Sequence, residues 1–143
     1  MAVCLYLSRD QAKALIASST APAERSASSP CEGKKLCGVV YVAPWCPACN
    51  NLLPKLAVPL ANAKDNKDFG MMIVVGQGKR EGDNETKVSE IGAGAITDND
   101  GFYHQKLRVE AYPSFYVINQ NNRVVMQDQD AFIWHHTTLG VNP

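Results

Sequence analysis

The chain has 143 residues, 45% of them apolar and 20% charged, with 14 basic and 14 acidic side chains and no formal net charge. That length suits one domain, residues 1–143, around a single core, and the even charge balance excludes a charge-driven nucleic-acid binder. The longest apolar runs, such as VVYVA and MMIVV, are far too short to span a bilayer.

Residues 3–7, VCLYL, read as a short strand, and Ser8 is placed to cap a helix in which Ala12, Leu15 and Ile16 recur at helical spacing. This start has no cationic segment, and Arg9 and Asp10 interrupt its apolar run, so a signal peptide is not expected. Residues 18–30 are dominated by Ser, Ala and Pro and read as an exposed loop. The continuous apolar run KLCGVVYVA, 35–43, predicts a central strand covered on both faces. A helix follows from Cys46 to about residue 63, with Leu52, Leu53, Leu56 and Leu60 on one side; Pro54 must kink it, and Pro59 is a second candidate kink.

FGMMIVVGQ, 69–77, is a second buried strand, and residues 78–95 give a polar loop, a short helix and a Gly-rich turn. Residues 98–110, DNDGFYHQKLRVE, predict a turn and a short helix. PSFYVINQNNRVVMQ, 113–127, reads as a hairpin around an Asn/Gln turn, and 130–140 as a last helix ending at Gly140. Strands alternating with helices, then a hairpin, indicate an α/β class with a central mixed sheet flanked by helices.

Five cysteines, Cys4, Cys31, Cys37, Cys46 and Cys49, leave at least one unpaired in a monomer, which argues against a pure disulfide scaffold. Cys46 and Cys49 follow the strand directly. A cysteine at a helix N-terminus faces unpaired N–H groups and the positive end of the helix dipole, which favours thiolate over thiol. Pro47 suits the first helical turn, where its missing N–H has no partner to lose. Cys49 lies one turn along the same face, placed to resolve a mixed disulfide on Cys46. Trp45 gives the sulfur an apolar shoulder, and Pro47 and Ala48, between the cysteines, tune the pair.

Two other readings accompany this one. A zinc site would need Cys31 and Cys37 as further ligands, but their spacing is wide for a zinc knuckle. An inert Cys46–Cys49 disulfide conflicts with the strain of so tight a loop. Cys31 and Cys37 suit a structural disulfide in an oxidising compartment, idle thiols in a reducing one, or a second redox pair. Cys4 reads as a small core residue. His104, His135 and His136 read as exposed or capping histidines, and the charged run at 79–87 as a solvated loop.

VVYVAPWCPAC followed by a helix carrying Pro54 resembles the thioredoxin superfamily active site, and LRVEAYPSFYVINQNNRVV resembles that superfamily's second landmark. The similarity covers roughly residues 36–128. The resemblance implies a thioredoxin fold and thiol–disulfide exchange on protein cysteines, with Cys46 attacking and Cys49 resolving. It gives Pro113 the role of cis-proline beside the pair, with the backbone of Tyr112 pairing with substrate. No organic cofactor or metal is implied. The partners are protein thiols or disulfides and a resetting reductase or oxidase, with no nucleic acid and no membrane span in this chain, and a monomer is expected. TDNDGFYHQKLRVEAYP and the Pro after the first cysteine are similar to the TlpA-like branch, which includes cytochrome c maturation thioredoxins, and imply an extracytoplasmic location with a leader removed; the alternative is cytoplasmic. Val40 and Leu52 stand where relatives carry acidic residues that aid proton transfer, so the base for Cys49 is unassigned; Glu110 is a candidate that reads more simply as a surface residue. A binding or chaperone module that keeps the fold without turnover is the alternative of a different class.

Overall fold

The computed structural model describes residues 29–139. The strand and helix expected over 3–18, Cys4, most of the 18–30 loop and the Gly140 terminus lie outside the described residues. Among the described residues five strands form one sheet: β1 (Leu36–Val42), β2 (Phe69–Val75), β3 (Ala95–Thr97), β4 (Ser114–Asn119) and β5 (Val124–Gln127), in the order β3-β2-β1-β4-β5. β1 pairs parallel with β2 and antiparallel with β4, β3 runs parallel to β2, and β5 closes the hairpin antiparallel to β4.

The helices are α1 (Pro47–Leu52), α2 (Ala57–Asp65), α3 (Asp83–Ile91), α4 (Phe102–Lys106) and α5 (Asp128–Thr138). A 3-10 turn at Leu53–Leu56 separates α1 from α2. Pro54 falls inside it, because a proline has no N–H for the α-helical ladder. Pro59 does not kink the chain again: it sits in the first turn of α2, where an N–H would be unpaired in any case.

β1 is buried along nearly its whole length because its alternating side chains enter two different cores. Val40 and Val42 pack with Leu56, Ile73, Val117 and Trp134 on one face, with Leu52, Leu53 and Leu60 partly buried against them. Val39 and Tyr41 pack with Met72, Val74, Tyr103 and Tyr116 on the other. A parallel strand covered on both sides needs apolar residues at every position, which is the run the sequence carries.

Two structural findings differ from the expectations. The Gly-rich turn is present at residues 92–94, but it leads into an unexpected strand, β3, three residues held by pairing with Ile73–Val75. His135 is buried, at 1% exposure, rather than exposed. Its imidazole lies over Gly38 of β1, where an added Cβ would come within 2.3 Å of the ring. Its Nε2–H donates to the Tyr116 carbonyl at 3.3 Å.

Candidate active site

Cys46 and Pro113 come together through strand register. The antiparallel pairing sets Tyr41 of β1 opposite Ser114, the first residue of β4. The chain leaving β1 toward Cys46 and the chain entering β4 from Pro113 therefore meet at one end of these two central strands. Binding sites in open α/β sheets form where strands end in this way.

Cys46 is the N-cap of α1, with extended backbone, and Pro47 stands in the first turn. The Cys46 sulfur accepts the Cys49 N–H at 3.1 Å. Its thiol also points at the Tyr112 carbonyl, 3.5 Å away. The Tyr112–Pro113 peptide bond is cis. Both cysteines are free thiols. Cys46 keeps 4% of its surface exposed and Cys49 none. Burial first, then the hydrogen bond and the negative charge offered by Cys46, push the Cys49 thiol up to about 12; the Ala43 backbone partly opposes this.

Trp45 is exposed, and its indole N–H donates to the Gln77 carbonyl at 2.7 Å. Gln77 has a φ of 63°, a left-handed conformation uncommon outside glycine, which presents that carbonyl. The Trp45 ring meets Tyr112 edge-on at 5.4 Å, and the Lys79 ammonium sits 5.1 Å from the Trp45 ring centre. Tyr112 and Pro113 are half-buried, while Pro47 and Ala48 are exposed beside the pair. Burial, and then the charge of Cys49, raise the Tyr112 phenol.

Cys31 and Cys37 are joined by a disulfide near the opposite end of β1 and do not enter this site. Among the described residues no cluster of three or more His, Cys, Asp or Glu side chains is placed to hold a metal. Glu110 is exposed and lines an open groove of about 900 Å³ with Lys106, Arg108, Asn122, Arg123 and Asp128, on the β4–β5 side of the Tyr112–Pro113 turn. None of the described helices is long and apolar enough to cross a membrane.

Sequence reasoning missed two residues that back the site. Asp98 is 1% exposed and accepts the Tyr41 hydroxyl at 2.7 Å. His104, expected to be exposed or capping, is half-buried and hydrogen-bonded through Nε2 to the Tyr112 hydroxyl at 2.8 Å. The acidic turn DND just before an aromatic-rich helix was the available signal for Asp98; nothing local pointed His104 at Tyr112.

No family model and no curated protein matches the sequence. Solved structures do resemble the fold. The exposed lipoprotein thioredoxin of Streptococcus pneumoniae aligns with a TM-score of 0.55 at 22% identity, over 75% of this chain and 84% of that one. The N-terminal domain of PilB from Neisseria gonorrhoeae gives 0.57 at 20% identity, over 76% and 80%. A secreted Mycobacterium tuberculosis disulfide oxidoreductase homologous to Escherichia coli DsbE gives 0.51 at 19% identity, over 75% and 79%. The chain has a thioredoxin fold, an α/β architecture in which the described residues form a mixed five-stranded sheet.

Proposed function

We propose that this protein is a thiol–disulfide oxidoreductase that exchanges disulfides with protein cysteines through Cys46 and Cys49. The observation that carries the reading is the placement of the Cys46 sulfur between the Cys49 N–H, 3.1 Å away, and the carbonyl that precedes Pro113, 3.5 Å away. An N–H donor gives its strongest hydrogen bond to an ionised sulfur. The carbonyl of Tyr112 lies where a substrate backbone N–H would pair.

The chemistry is two successive displacements. The Cys46 thiolate attacks one sulfur of a substrate disulfide; a new S–S bond forms to Cys46, the substrate S–S bond breaks, and the released thiolate takes up a proton. Cys49 then loses its proton and attacks the Cys46 sulfur. The Cys46–Cys49 bond forms, the second substrate thiol leaves, and two electrons have passed to the substrate. With the relative potentials reversed, the same steps run backward and oxidise a substrate dithiol.

The environment of Cys49 orders these steps. Two of the influences that raise its thiol come from Cys46, a hydrogen bond and a charge. Both vanish once Cys46 is bound in a mixed disulfide, so Cys49 becomes easier to ionise when its attack is needed.

Trp45, Tyr112 and Pro113 form the docking surface, with Pro47 and Ala48 exposed at its edge. The reaction needs no organic cofactor or metal, because the sulfur pair carries the electrons. A reductase or oxidase resets the pair. The DND turn ahead of α4 supports a place in the TlpA-like branch, and the structural likeness to proteins described as exposed or secreted supports an extracytoplasmic location. Reduction of insulin by the wild type and by Cys46→Ser, with a small dithiol as electron source, tests the reading. Cys46→Ser is expected to fall to the uncatalysed rate; equal activity in the two proteins would remove the proposal.

A further inference from the structure

Behind the cysteines lies a hydrogen-bonded chain of side chains that the exchange reaction does not use directly. It starts at Tyr41, fully buried near the C-terminal end of β1, whose hydroxyl donates to Asp98 Oδ2 at 2.7 Å. Gly76 leaves the space for this contact, since a Cβ there would come within 1.9 Å of the Tyr41 hydroxyl oxygen. Asp98 also accepts the Tyr103 N–H at Oδ1 and the His104 N–H at Oδ2, each at 2.9 Å. A buried carboxylate with three donors is a fixed point, and it ties the first turn of α4 to β1.

His104 carries this anchoring onward to the site. Its Nε2 bonds the Tyr112 hydroxyl at 2.8 Å, and the two rings stack with centroids 6.2 Å apart and planes 27° from parallel. Tyr112 is the residue whose carbonyl faces the Cys46 sulfur and whose ring edge meets Trp45. Its phenol is thus anchored to the sheet through His104, Asp98 and Tyr41, while its backbone lies against the nucleophile.

We propose that His104 is a positioning residue for polypeptide substrates: its hydrogen bond to Tyr112 holds the docking surface beside Cys46 in the geometry that receives an extended chain. The inference rests on the proposed exchange reaction and adds to it a determinant of substrate binding. A small disulfide needs only the sulfur of Cys46, whereas a protein disulfide must also lie along Tyr112 and Trp45.

The test compares insulin reduction over a range of insulin concentrations with the direct reaction of the reduced protein with 5,5′-dithiobis(2-nitrobenzoate). His104→Phe keeps an aromatic ring and loses the hydrogen bond. It is expected to raise KM for insulin about three- to tenfold, the usual worth of one hydrogen bond, with kcat and the rate with the small disulfide unchanged. His104→Gln, which can still bond the Tyr112 hydroxyl, is expected to restore the wild-type KM. Tyr112→Phe removes the same bond from the other side; it should raise KM for insulin to the same extent, and the double variant should raise it no further than either single one. An unchanged KM in both single variants overturns the inference, and so does an equal loss on both substrates, which would mean disturbance of the cysteines themselves. A wild type that reduces neither substrate removes the exchange reading first, and this inference with it.

Discussion

Cys46 and Cys49 are three residues apart and meet opposite surroundings. Cys46 closes the start of α1 and keeps the pair's residual exposure, while Cys49 is sealed beneath it. Burial and the neighbouring sulfur push Cys49 up to about 12, so near neutral pH it is almost wholly a thiol. Iodoacetamide at pH 7.5 is therefore expected to label Cys46 and spare Cys49 in the reduced folded protein, with Cys49 labelled only after denaturation; peptide mass mapping reads the outcome. Equal labelling of both in the folded state would contradict the assigned order of attack. At this scale the placement of the two free cysteines at the junction of β1 and α1 was legible, because a Trp-Cys-x-x-Cys stretch between a strand and a helix is a local signal. His104 was not legible, because its meaning depends on Tyr112, eight residues away and across a turn.

The elements show the same division. β1 and β2 were visible as unbroken apolar runs, and the interruption at Pro54 followed from the chemistry of proline. β3 was hidden: three residues give no period to read, and it exists because β2 offers it an edge. α5 was visible as a helix, but the burial of His135 was not, since only the packing of α5 over Gly38 creates that site. Burial, reinforced by the charge of His136 and opposed by the bond to Tyr116, lowers the His135 imidazole to about 4. The folded value lies below the unfolded one of about 6.5, so above that pH both states are neutral and α5 docks at full strength. Between about 6.5 and 4 the unfolded chain takes up a proton that the folded chain refuses, and stability declines by up to about 3 kcal/mol. Urea unfolding at pH 7.5 and 4.5 measures this. His135→Gln, which does not titrate, is expected to lose about 2 kcal/mol less than the wild type over that interval; an equal loss would place the acid sensitivity elsewhere.

Across the described molecule, β1 organises the chemistry. One end of the strand leads to Cys46 and lies against the turn into β4, and near the other end the Cys31–Cys37 disulfide closes a short loop. A seven-residue strand between the two ends separates them by about 20 Å, so the two cysteine pairs cannot exchange directly within one chain. The overall α/β order could be read from the sequence, since alternating strands and helices leave few right-handed arrangements open. The Asp98–His104–Tyr112 support could not, because it joins β1, the turn before α4 and the turn before β4, segments that only the folded sheet brings together.

In the proposed reaction Cys46 captures a substrate cysteine and Cys49 releases it. Trapping with Cys49→Ser decides this: the variant is incubated with a disulfide-bonded protein substrate, quenched with acid, and the adduct mapped by non-reducing mass spectrometry. A stable mixed disulfide at Cys46 is expected, lost when Cys46 is also changed to serine. No adduct at Cys46, or an adduct at Cys31 or Cys37 instead, would contradict it.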